Sequence, residues 1–200
     1  MLDFKKDDKA FYPTTTAPTI VDVPAMVFLM TDGVGDPNNS AMFSAATETL
    51  YGLSYAIKMA NKHVLEYVVG PLEGLWSGAG FGGDKSEFTW TLMIRQPEFV
   101  TSQEFDAARA SLLKRKPKLD AVSVRLEQLT EGACVQALHV GSYDDEPATI
   151  AAMEQFAAEH GYVLDMDGPR RHHEIYLSDP HKTAVEKLKT IIRQPVKQAV

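Results

Sequence analysis

The chain has few of the features that define several large classes of protein. It has one cysteine, Cys134, so it cannot form an intramolecular disulfide, and it suits a reducing compartment. It has no apolar run long enough to cross a bilayer, and residues 1–12 lack the apolar stretch of a signal peptide. We therefore predict a protein of the cytoplasm with no membrane partner.

Positive charge is also scarce. The sequence has 20 lysines and arginines against 27 aspartates and glutamates, which gives a formal net charge of −7. A field of that sign repels polyanions. The longest basic run, residues 114–118, falls at the end of a predicted helix and is typical of a solvated helix end. We predict no nucleic-acid partner.

The chain does have enough apolar material for a buried core, since 44% of its 200 residues are hydrophobic and 9% are aromatic. Residues 1–19 are charged and then rich in threonine and proline, which predicts an extended N-terminal arm. We expect residues 20–200 to form a single ligand-binding domain.

The predicted elements of this domain occur in the same order twice. A strand, a glycine-containing turn, a long helix and two strands are predicted over residues 24–96 and again over residues 133–196. Two such units that share one antiparallel sheet would put their helices on one face and leave a central cleft. The predicted fold class is therefore α+β. Residues 122–129 and 133–140 are further predicted to pair as a β-hairpin.

The segment from His172 to Leu177 is the strongest candidate for chemistry. Strand alternation puts Glu174 and Tyr176 on one face and the apolar side chains on the other. A carboxylate and a phenol that project together into a cleft can hold a cation, orient a water or transfer protons. The alternative is an edge strand whose polar side faces water.

The histidines of this segment raise the question of a metal site, and the strand geometry opposes one. His173 faces away from both His172 and Glu174, so at most two residues of this run can converge. No His-x-x-x-His or cysteine-rich spacing supplies further ligands. We predict no metal and no cofactor.

Aromatic residues from several predicted elements are candidate ligand contacts. Large rings that line a cleft favour flat apolar or cationic ligands through stacking and cation–π contacts. The alternative is core packing, and for Trp90 both interpretations stay open. Tyr51 and Tyr55 lie opposite the apolar stripe of their helix and face either the cleft or a partner. The candidates are Tyr51, Tyr55, Trp76, Trp90, Tyr143 and Tyr176.

Several segments, in the right order, resemble the GyrI-like small-molecule-binding family, whose domain also forms the effector-binding half of multidrug-sensing transcription activators. They are residues 33–37 (GVGDP), 51–55 (YGLSY), 71–76 (PLEGLW), 90–97 (WTLMIRQP), 139–143 (HVGSY), 174–180 (EIYLSDP) and 187–193 (KLKTIIR). The first-half segments are similar to the stand-alone branch. The resemblance implies tandem strand-helix-strand-strand repeats and a pocket glutamate, which falls on Glu174.

Some stand-alone members are similar to cyclopropyl hydrolases, which add water to the strained cyclopropane of DNA-alkylating natural products, and others only bind. The resemblance implies a pocket in which Tyr143 or Glu174 hydrogen-bonds the dienone oxygen, or Glu174 orients the water. Trp76, Trp90 and Tyr176 would form a slot for the flat ligand. A non-catalytic sequestering protein, and a protein-interaction module acting on an enzyme such as a topoisomerase, are the alternatives. Nothing in the sequence specifies an oligomeric state.

Overall fold

The structure, a computed structural model, describes residues 1–37, 40–77 and 87–199. Its helices are α1 (Phe4–Asp7), α2 (Ala41–Ala60), α3 (Ser102–Arg115) and α4 (Glu146–Glu159). Its strands are β1 (Thr19–Val23), β2 (Met26–Val34), β3 (Glu73–Ser77), β4 (Thr89–Gln96), β5 (Arg125–Leu129), β6 (Gly132–Val140), β7 (Tyr162–Leu164), β8 (His172–Tyr176) and β9 (Lys189–Gln198). Short 3₁₀ helices lie at Tyr143–Asp145 and Val185–Lys187. None of the described helices is long and apolar enough to cross a membrane.

Within the described residues, the strands form one nine-stranded antiparallel sheet. Its order is β1-β6-β9-β8-β3-β4-β2-β5, and β7 pairs with β9 outside this path. The two halves of the sheet have equivalent strand orders. Counted inward from the two ends, β6 corresponds to β2, β9 to β4 and β8 to β3. The units β2-α2-β3-β4 and β6-α4-β8-β9 therefore meet where β3 pairs with β8. This arrangement confirms the predicted α+β fold with tandem repeats.

The predicted hairpin between residues 122–129 and 133–140 is wrong. β5 pairs with β2 and β6 pairs with β1, in a register that runs through Met26↔Leu129 and Val23↔Gly132. Because β1 and β2 follow each other closely, β5 and β6 lie end to end along them and do not fold back on each other. Alternation of side chains marks each segment as a strand but carries no information about which strand is its partner.

Both long helices of the repeats cover the same face of the sheet. Leu92, Gly74, Glu174 and Ile192 lie directly opposite one another on four neighbouring strands, so their side chains share that face. α2 packs over the first half through Leu50, Leu53 and Ile57, and α4 packs over the second half through Ile150, Met153 and Ala157. Between the two helices the sheet face is open, and this opening forms the cleft.

The N-terminal segment covers the other face of the sheet. The sequence predicts an extended arm over residues 1–19, but Phe4–Asp7 form a short helix that Asp3 caps. Phe4 and Tyr12 are buried, in a cluster with sheet residues Leu138, Ile175 and Ile191. The segment is therefore extended only in part, and it closes the back of the core.

Candidate ligand-binding site

A cavity of about 1700 Å³ opens on the helical face of the sheet, between α2 and α4. Typical small-molecule pockets have about 300–1,000 Å³, so this one has room for a large ligand. Its walls come from both repeats. The predicted site residues that line it are Tyr51, Tyr55, Trp76, Tyr143, Glu174 and Tyr176.

Glu174 lines this cavity and is held from two sides. Its Oε2 accepts a hydrogen bond from the Tyr176 hydroxyl at 2.7 Å, and its Oε1 lies 3.1 Å from His172 Nε2. The side chain is 12% exposed, and β8 lies between β9 and β3, so the edge-strand alternative is excluded. The indole of Trp76 donates to the same Tyr176 oxygen at 2.9 Å. Indole, phenol and carboxylate thus form one hydrogen-bonded chain that fixes the orientation of the carboxylate.

Gly74 makes room for this chain, and sequence reasoning did not single it out. It lies directly opposite Glu174 across the β3–β8 pair. A Cβ at this position would lie 2.8 Å from Trp76 Nε1 and 3.2 Å from Tyr176 Oη. The signal was available in the sequence, since a glycine inside a strand often marks a site of close approach.

Two tyrosines flank the carboxylate with perpendicular rings, Tyr143 and Tyr176, whose centroids are 6.1 Å apart. Burial raises the pKa of Tyr143 to about 12, and the negative charges of Glu174 and Glu146 act in the same direction. Burial, together with Glu174, raises the pKa of Tyr176 well above its usual value. Both phenols therefore stay protonated at neutral pH and remain hydrogen-bond donors.

Further aromatic side chains line the cavity beside polar and charged ones. Phe43 stacks on Trp76 at 6.1 Å with 23° between the rings, and Phe88 meets the same indole edge-on at 6.1 Å. Tyr51 stacks with Tyr55 at 6.5 Å and accepts a hydrogen bond from the Leu72 backbone at 3.1 Å. Of the two predicted alternatives, the cleft or a partner, both helix tyrosines thus lie on the wall of the cleft.

Trp90 belongs to the core, which corrects its prediction as a ligand contact. It is 1% exposed and is absent from the cavity wall. Its indole lies over Gly33, where a Cβ would come within 2.1 Å of the ring. Phe43 packs edge-on against Trp90 at 5.4 Å and itself lines the cavity. The ring available to a ligand is therefore Phe43, which is not among the candidates predicted from the sequence.

Sequence reasoning also missed Glu146, the first residue of α4. Donor atoms of Glu146, His172 and Glu174 all lie within 4.8 Å of one another. The argument against a metal counted only the residues of β8 and correctly put His173 on the other face, but the third donor comes from a helix. One imidazole nitrogen and two carboxylates form a set that can bind a divalent transition metal.

His173 lies in a buried ion network on the opposite face of the sheet. Its two ring nitrogens are each 2.9 Å from a carboxylate oxygen, of Glu131 and of Glu73, and Arg193 binds the other oxygen of Glu131 at 2.7 Å. Burial alone would lower the pKa of His173, but the two carboxylates outweigh it and raise the pKa to about 9. Burial would likewise raise the pKa of Glu131, but His173 and Arg193 lower it to about 2. The network supports β8 from behind.

Comparisons with known proteins agree with the fold. The chain is 40% identical to a hydrolase from Listeria innocua, over 98% of this chain and 100% of the other, with a TM-score of 0.91. It is 41% identical to an uncharacterized conserved protein from Listeria innocua over the same shares, with a TM-score of 0.93. The C-terminal domain of EcmrR shares the fold at 13% identity and a TM-score of 0.54, over 91% of this chain and 98% of that domain. No curated protein matches.

The family itself follows from the whole length of the domain. The sequence profile of the GyrI-like small molecule binding domain matches residues 16–197, which include both repeats and every residue of the cavity wall named above. The chain belongs to the GyrI-like small-molecule-binding domain family.

Proposed function

We propose that this protein binds flat aromatic or cationic small molecules in its cavity and hydrolyses cyclopropane-containing, DNA-alkylating compounds there. The observation that carries the proposal is the Glu174 carboxylate, which Tyr176 and His172 hold in a fixed orientation inside an aromatic cavity. The Listeria innocua relative that is described as a hydrolase supports the catalytic part.

The lining of the cavity supports the ligand class. Stacking on Trp76 and Phe43 favours flat rings, because offset aromatic pairs contribute about 0.5–1.5 kcal/mol beyond the area they bury. The carboxylate of Glu174 and the faces of the surrounding rings both attract positive charge. A cavity of this size also favours a small-molecule function over a protein-interaction module.

The proposed reaction adds water across one carbon–carbon bond of a spirocyclopropane dienone. Glu174 takes a proton from the water while the water oxygen attacks the cyclopropane methylene carbon. The bond between that carbon and the ring breaks, and its electron pair makes the dienone a phenolate. Tyr143 hydrogen-bonds the dienone oxygen and stabilises the negative charge as it develops. The proton held by Glu174 then passes to the phenolate oxygen, so the sum is one water added.

The test is to incubate the protein with a spirocyclopropane dienone and to follow ring opening by ultraviolet absorbance and by the mass of one added water. Glu174→Gln is expected to lower kcat by about 10²–10⁴-fold, because the amide keeps the shape but cannot accept the proton. Glu48→Gln is the matched control, since Glu48 lines the cavity rim and pairs with Lys116 on the surface. Circular dichroism checks that both variants fold.

Three results test the role of Glu174, the choice between hydrolase and sequestering protein, and the position of the ligand. Full turnover by Glu174→Gln would contradict the assignment of this carboxylate. Saturable quenching of tryptophan fluorescence without turnover by the wild-type protein would make it a sequestering protein. Loss of that quenching in Trp76→Phe, but not in Trp90→Phe, would locate the ligand on the cavity wall.

A further inference from the structure

Three side chains of the kinds that bind metals converge where α4 meets β8. His172 Nε2 lies 3.1 Å from Glu174 Oε1, and a carboxylate oxygen of Glu146 completes a group within 4.8 Å. Zinc binds nitrogen and oxygen at about 2.0–2.2 Å, so two of its ligand atoms lie at most about 4.4 Å apart. The 4.8 Å limit on the present distances exceeds this value by about 0.4 Å, so the three donors need only a small shift to share one ion.

Burial makes a positive charge at this point favourable. Glu146 is 2% exposed and His172 is 6% exposed, and the side chain of Glu174 is 12% exposed. Burying carboxylates is costly unless a proton or a cation compensates their charge. Two carboxylates and a neutral imidazole would balance the charge of one divalent ion. The negative field of the pair also reaches Tyr143, where it adds to the effect of burial on the pKa.

A second observation comes from behind the imidazole. A histidine that binds a metal through Nε2 carries its proton on Nδ1 and donates it to a neighbouring acceptor. The side-chain amide of Gln194 lies 3.5 Å from His172 Nδ1 and is fully buried. Its Oε1 has no hydrogen-bond partner among the described residues. Because the two ends of an amide have nearly the same shape, a half-turn brings Oε1 to Nδ1 and gives it that bond.

We propose that Glu146, His172 and Glu174 bind one divalent transition-metal ion, for which Zn²⁺ is the best match, and that bound zinc inhibits ring opening. Three protein ligands leave a fourth position for water or for a ligand in the cavity. Zinc would occupy the Glu174 carboxylate that otherwise takes up the proton of the water. The inhibition rests on the proposed function, whereas the binding of zinc does not.

Calorimetric titration of Zn²⁺ into untagged protein, stripped with EDTA and then desalted, tests the binding. We expect one ion per chain, and visible absorption of bound Co²⁺ gives a second readout of the same site. Loss of a partner behind a metal ligand weakens binding by about 10–100-fold, and loss of a ligand should cost more. Gln194→Leu is therefore expected to weaken zinc binding by about 10–100-fold. Glu146→Gln, which is nearly isosteric, is expected to weaken it further. His181→Gln is the control, because His181 lines the cavity outside this group and should leave the affinity unchanged.

The proposal is overturned if the folded wild-type protein takes up no stoichiometric zinc, or if Glu146→Gln and His172→Gln bind it as tightly as the wild type. Turnover in EDTA separates the two proposals. Turnover without zinc binding would support the hydrolase function and reject the metal site. Zinc binding without turnover would support the metal site and reject the hydrolase function. Turnover that saturating zinc leaves unchanged rejects the inhibition.

Discussion

Gly74 determines how closely the rings of Trp76 and Tyr176 approach Glu174. The absence of a Cβ leaves the space in which the indole nitrogen and the phenol oxygen meet. The carboxylate takes its orientation from that phenol. A residue with no functional group of its own therefore positions the acid that we propose to be catalytic.

Gly74→Ala is expected to lower kcat/KM for ring opening by about 100-fold, because a methyl group 2.8 Å from the indole nitrogen displaces the chain that orients Glu174. The loss of stability should stay within about 1–3 kcal/mol, the usual cost of overpacking. Kinetics and thermal melting on the same sample separate the two effects. Gly70→Ala is the control, since its Cβ would meet nothing closer than 3.7 Å. Unchanged turnover in Gly74→Ala would show that the orientation of Glu174 does not depend on this space.

The elements themselves could be predicted wherever their signals are local. The capping box of Thr101 and Glu104 begins α3, and Ser40 caps α2, as the sequence patterns indicate. These contacts join residues a few positions apart, so the sequence contains both partners. The hairpin was wrong for the opposite reason, because pairing joins segments that only the whole sheet brings together.

The same distinction explains the site. Alternation within β8 correctly put Glu174 and Tyr176 on one face, because both lie on a single strand. The approach of Glu146 depends on where α4 crosses the sheet, and the burial of Trp90 depends on where Phe43 lies over it. Neither position follows from periodicity along one element.

The N-terminal segment packs on the back of the sheet, and its role is visible only in the folded structure. Phe4 lies among charged residues in the sequence and Tyr12 precedes a proline, yet both pack on the sheet face opposite the cavity. The segment is also tied to the ion network, because Arg193 donates to the Phe11 carbonyl at 2.7 Å. Residues that the sequence predicts to be an extended arm thus pack against the strands that carry the site.

Phe4→Ala is expected to lower the free energy of unfolding by about 3–5 kcal/mol, as for other buried phenylalanines that leave a cavity behind. Urea denaturation followed by circular dichroism measures the change. Lys6→Ala is the control on the same short helix, since the Lys6 side chain is 76% exposed. An equal urea midpoint of unfolding for the two variants would mean that the segment does not contribute to the folded core.

At the scale of the whole molecule, the two repeats are joined on both faces of one junction. On the cavity side, β3 and β8 pair and place Gly74 opposite Glu174. On the other side, His173 of the second repeat hydrogen-bonds Glu73 of the first. Glu131 links His173 to Arg193 on β9. The network contains two acidic and two basic side chains, so its buried charges compensate one another.

This balance predicts how stability depends on acidity. Glu131 has a pKa of about 2 in the folded protein and about 4.5 when unfolded, so its stabilising contribution is complete above pH 4.5 and is lost as the pH falls through 2. A shift of that size corresponds to about 3 kcal/mol. In Glu131→Gln the contribution is absent at every pH, and we expect that variant to be less stable than the wild type by about 3–5 kcal/mol at neutral pH.

Urea unfolding at a series of pH values between 7 and 2 measures the effect. Because Glu131 also raises the pKa of His173, the difference between the wild type and Glu131→Gln should grow as the pH falls from 7 to about 5. Below about pH 4.5 it should narrow, because protonation of Glu131 removes from the wild type what the variant already lacks. Glu127→Gln is the control, since its pair with Arg125 is exposed and contributes less than about 1 kcal/mol. A difference that stays constant to pH 2 would mean that Glu131 titrates alike in both states, and the network would then not couple the repeats through charge.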